Sequence, residues 1–239
     1  IMNTRFLLKA LPLMLTLLSA GGATAAEAPA RLLYNDGSHD DAIIVSYTAG
    51  VVTYRINARA LNLVRVKAPK LEAIYFYEPP IFSEAMALYR GRKYAEAKPK
   101  FAECEEAYKP VDTAPNNYAS LAGFYKMECS RRMNDLDALS EELQKFRKKG
   151  LTRETHLQQL EVNIFWEAVR LKDWDRLDRL AQAWRKRKVT GSQRAQIAYC
   201  HGLALENLSK KNPKRITEAL NAYNRALSAD FTASMEIVL

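Results

Sequence analysis

The chain changes its hydrophobic rhythm once. From Arg31 to Tyr77 apolar and polar residues alternate, and the apolar ones are β-branched or aromatic: "RLLY", "AIIVSY", "VVTYRI", "LVRV" and "AIYFY". Between these runs "NDGSHDD", "TAG", "NARALN" and "KAPKLE" supply the Gly, Asn, Asp and Pro of turns. Five short strands predict a small antiparallel β module over 27–80, of the SH3-like or Sm-like barrel kind. "EPP" at 78–80 ends the pairing, because Pro79 and Pro80 offer no backbone N–H.

After Pro80 the period becomes helical and stays so. It predicts helices at about 81–91, 94–109, 116–133, 135–148, 152–170, 173–187, 192–208 and 214–228, with a last one from about 232. One apolar face recurs. Steps of three, seven and ten residues lead from Tyr94 to Ala97, Phe101 and Cys104, and from Leu136 to Leu139, Leu143 and Phe146. From Trp174 they lead to Leu177, Ala181 and Trp184, and from Ile216 to Ala219, Tyr223 and Ala226. The four anchors are 42, 38 and 42 residues apart. A helix with such a stripe buries it only against neighbours, so stacked helix pairs are expected.

These residues resemble the tetratricopeptide repeat family. The clearest unit is 81–110, with Ala85 at the small position of its first helix, Gly91 near the turn, then "YAEAKPKFAEC" and a closing Pro110. The next is 195–230, with Gly202 at the small position and "ITEALNAYNRALSAD" as its second helix. Met127 and Phe165 stand where the family prefers small residues, "SKKNP" lengthens the last pair, and Pro99 falls inside a helix. The resemblance implies a mainly α protein, a tetratricopeptide-like α-α solenoid over 81–239 that binds other proteins. It also implies that first helices line a groove, which would place Phe82, Met86, Tyr89, Phe124, Arg131, Trp166, Tyr199 and Glu206 there.

The N-terminus adds a location. Arg5 and Lys9, the apolar run "ALPLMLTLLSAG" and small residues in "ATAAE" are the parts of a secretory signal peptide, expected over 1–26 with the natural start at Met2. The run is too short to span a bilayer. Export to the periplasm or cell envelope, or secretion, follows. Losing Arg5 and Lys9 lowers the net charge from +9 to +7. An exported basic protein points to acidic protein partners or a polyanionic wall component, not to nucleic acid.

Basic clusters near helix ends sharpen this. Arg147, Lys148 and Lys149, then Arg185, Lys186, Arg187 and Lys188, either complement helix dipoles or form a basic strip for an acidic partner. Cys104 and Cys129 would be neighbours in the repeat fold, as a disulfide or as two buried thiols. His39, His156 and His201 lack metal-ligand spacing, and no phosphate-cradling or nucleophile motif occurs. The reading is therefore a binding protein with no catalytic, cofactor or metal centre. A second reading, binding of peptidoglycan or another glycan through Tyr34, Tyr47 and Tyr54 of the β module, remains beside it.

Overall fold

The computed structural model describes residues 28–230. The leader expected at 1–26 and the helix expected from about 232 lie outside the described residues. Five strands come first: β1 Ala28–Tyr34, β2 His39–Thr48, β3 Val51–Arg55, β4 Val64–Lys67 and β5 Leu71–Phe76. All neighbours are antiparallel, in the order β4-β3-β2-β1-β5. Alternation decides which face is covered. Ala28, Ala30, Leu32, Ile44, Val52, Tyr54, Val66 and Ile74 point into the core, while Arg31, Arg65 and Lys67 stay outside.

Eight helices follow among the described residues: α1 Pro80–Arg90, α2 Tyr94–Ala107, α3 Tyr118–Arg132, α4 Leu136–Lys145, α5 Glu154–Arg170, α6 Trp174–Trp184, α7 Gly191–Ser209 and α8 Arg215–Ala229. The molecule is thus mainly α with an antiparallel β module. Pro80 sits in the first turn of α1, where its missing N–H has no intrahelical acceptor to lose. Pro99 lies on the solvent side of α2, which continues through it.

Each helix packs on the next. Alternate helices also meet: α1 touches α3, α5 touches α7, and Phe124 of α3 stacks on His156 of α5 at 4.5 Å. The recurring face supplies the core, with Ala97, Phe101, Cys104, Leu139, Leu177, Ala181, Ala219 and Ala226 buried. Ile216, which opens the fourth copy, is 45% exposed, because no described helix follows α8 to cover it.

Three of the helix turns are built alike. The N–H of Lys93, Asp135 and Asp173 donates to the carbonyl five residues back, in Leu88, Ser130 and Ala168, at 2.9, 2.9 and 3.0 Å. The residue before each, Arg92, Asn134 or Lys172, is left-handed, with φ of 61°, 57° and 55°. This is the bond pattern of a Schellman-type helix end. The left-handed position in the first turn belongs to Arg92, whereas Gly91 has an ordinary φ of −75°.

The core crosses the strand-to-helix junction. Leu32, Ile44, Val52 and Tyr54 share one apolar cluster with Phe82, Ala85, Phe101 and Val111, and Thr113 donates to the Tyr47 carbonyl at 3.2 Å. Pro79 is itself buried at that junction.

Candidate partner-binding site

The first-helix residues expected to line a groove divide by burial. Phe82, Phe124, Arg131 and Trp166 are core and offer no free surface; Met86, Tyr89 and Tyr199 are half-buried, and only Glu206 is exposed. The physical reason is that helices α1, α3, α5 and α7 pack side by side and fill the space between them. Phe82 meets Tyr118 at 4.9 Å and Phe101 at 5.7 Å. Tyr89 accepts from Arg132 at 2.7 Å, and Glu206 accepts from Tyr223 at 2.6 Å.

Arg131 is 1% exposed and bonds Glu128 through Nε and Nη2 at 3.1 and 2.9 Å. Its guanidinium lies 5.7 Å from the Trp166 ring. Trp166 in turn donates to Gln196, which exchanges hydrogen bonds with Gln159 at 3.0 and 3.1 Å. Burial opposes the Glu128 charge, yet Arg131 outweighs it and holds the carboxyl below its usual range. These groups join α3, α5 and α7 from inside.

All seven residues of the expected basic strip are exposed. They form two clusters with different anchors. Arg147 lies 3.8 Å from Asp112 in the α2–α3 connection, and Arg187 pairs with Glu161 of α5 at 3.0 Å while stacking 4.0 Å from the Trp184 ring. Lys148, Lys149, Arg185, Lys186 and Lys188 make no side-chain ion pair among the described residues.

The second cluster borders a groove of about 660 Å³ between α6, α7 and α8. Alanines 181, 198 and 229 leave it hollow, with Ile197 and Leu205 completing an apolar floor. Arg185, Arg187, Arg194 and Arg225 stand around it against one acid, Glu218. Arg185 and Arg225 have no side-chain partner among the described residues. Below the groove Asp178 ties the three helices, accepting from Gln182 at 2.9 Å and Arg215 at 2.8 Å and lying 3.0 Å from His201 Nε2. Burial lowers the His201 pKa, against the pull of Asp178, so the arginines supply most of the cationic character of the groove.

Sequence reasoning found Arg185 and Arg187 but missed Arg194, His201 and Arg225. The signal was there as the α7 series 194, 197, 198, 201 and 205, a helical stripe. Only the packing of α6 and α8 tells that this stripe stays open.

No protein-family model, curated protein or solved structure matches this chain. Its surfaces are therefore read from their own chemistry. Among the described residues no three His, Cys, Asp or Glu side chains converge as metal ligands would, and no helix is long and apolar enough to cross a membrane. Cys104, Cys129 and Cys200 are buried and unbonded in this structure, the arrangement of the two-thiol alternative. Of the tyrosines considered for glycan, Tyr54 is 4% exposed, and Tyr34 bonds Asp40 and Tyr54 at 2.8 and 2.9 Å. Tyr47 is half-buried against the core.

Proposed function

We propose that this chain is a non-enzymatic protein-interaction scaffold of the bacterial cell envelope. It is read as an exported tetratricopeptide-like solenoid with an SH3-like or Sm-like β module at its N-terminal side. The three matching turns, the side-by-side first helices and the recurring buried face support the repeat reading. The groove between α6 and α8 carries the functional one: an apolar floor lets side chains anchor, and Arg185 and Arg225, without a side-chain partner among the described residues, favour carboxylates. The occupant is an acidic protein segment. The glycan reading has less support, since Tyr34 and Tyr54 spend their hydroxyls on Asp40 and each other.

The test compares capture from envelope extract by the full chain, by Arg185→Glu/Arg225→Glu and by Lys148→Glu/Lys149→Glu. The first variant should lose partners that the wild type releases as salt rises, and the second should keep them. Identical capture by all three proteins at every salt concentration rejects the reading.

A further inference from the structure

We infer that the β3–β4 loop and the edge strand β4 dock on an anionic phospholipid surface. Three large aliphatic side chains project there with little cover: Ile56 is 64% exposed, Leu61 94% and Leu63 52%. Among the described residues they join no apolar cluster. The strand that follows alternates, with Val64 and Val66 turned to the core, so Leu63, Arg65 and Lys67 share the outward face. As the last strand of the sheet order, β4 has no strand neighbour on its outer side among the described residues.

Charge selects the occupant. From Ala42 to Leu71 the sequence has five cations, Arg55, Arg59, Arg65, Lys67 and Lys70, and no Asp or Glu. Four of them, Arg59, Arg65, Lys67 and Lys70, are exposed and form no side-chain hydrogen bond or ion pair among the described residues. Exposed leucines within a ring of unpaired cations suit a bilayer: the aliphatic groups enter the interface while the cations meet phosphate headgroups. An acidic protein would satisfy the cations but leave Leu61, the most exposed residue of the loop, without a reason to project. This face is distinct from the groove between α6 and α8, so either could operate without the other.

The test sediments the full chain with vesicles of equal parts phosphatidylglycerol and phosphatidylcholine, and with phosphatidylcholine alone. Binding should favour the anionic vesicles and fall as salt rises. Leu61→Ser/Leu63→Ser and Arg65→Glu/Lys67→Glu should each lower the partition coefficient about ten-fold or more. All four positions are exposed, so both variants should keep the wild-type circular dichroism spectrum and melting temperature. The indole introduced by Leu61→Trp should shift its emission to the blue on anionic vesicles and be quenched by brominated acyl chains. Wild-type partitioning by either double variant overturns the inference, as does an unshifted, unquenched indole. A dimer that falls apart in Leu61→Ser/Leu63→Ser, with vesicle binding intact, would assign the face to a second copy and overturn it too.

Discussion

Arg92 and Lys172 occupy a backbone region that costs an L-residue about 1–2 kcal/mol, and glycine would sit there without that strain. Arg92→Gly and Lys172→Gly should each raise stability by roughly 0.5–1 kcal/mol after glycine's own entropic penalty, read from urea unfolding. The opposite holds at Gly202, where an added Cβ would overlap the Tyr223 ring. Gly202→Ala should cost about 1–3 kcal/mol in the same measurement. The small residue at 202 was legible because the repeat pattern asks for one. The left-handed position was not, since an arginine gives no local sign of positive φ and the neighbouring Gly91 looked the better choice. At the buried pair, Glu128→Gln leaves the Arg131 charge without its counterion and should cost about 3–5 kcal/mol. Arg131 was read as a groove residue because the repeat resemblance lines the groove with first helices, and only its i−3 partner Glu128 hinted otherwise.

Helix positions were read to within three residues at each described end, because the helices carry apolar stripes and α1, α3 and α5 end in turns of three residues. Their caps differ in quality. Asp135 and Asp173 accept from the backbone N–H of Ala138 and Arg176, at 3.2 and 3.1 Å, whereas Lys93 gives α2 no side-chain cap. Lys93→Asp should therefore gain about 0.5–1 kcal/mol, seen as a higher melting temperature. Buried titratable groups on α3, α5, α6 and α7 set the response to acid. Burial lowers the pKa of both His156 and His201 below the usual 6.5, so the unfolded chain binds their protons more readily. Asp178 and Glu128 also titrate below their ordinary range, each through the cations and donors that outweigh its burial. The signs agree: these contributions are complete above pH ~6.5 and are lost as pH falls, first through the histidines and then through the carboxylates. Melting temperature should decline from pH 7 to pH 4, and His156→Gln/His201→Gln should flatten the upper part of that decline. The groove above Asp178 escaped the sequence because its hollow comes from alanines on three separate helices, each unremarkable alone.

Across the whole molecule, the apolar cluster joining Leu32 and Val52 to Phe82 and Phe101 couples the sheet to the first helices. Sheet and helices should melt in one calorimetric transition, with the near-ultraviolet and far-ultraviolet signals changing together. The change of period at Pro80 marks where strands give way to helices, and it was easy to see. That core continues past this point could not be seen, because periodicity reports which face of an element is apolar and not what covers it. The thiols bear on how such a chain can be made. Burial pushes Cys104 and Cys129 up to about 12 and raises Cys200 as well, so at neutral pH all three stay protonated and poor in exchange. Protein folded in a reducing buffer should therefore match the melting temperature of protein folded in an oxidising one.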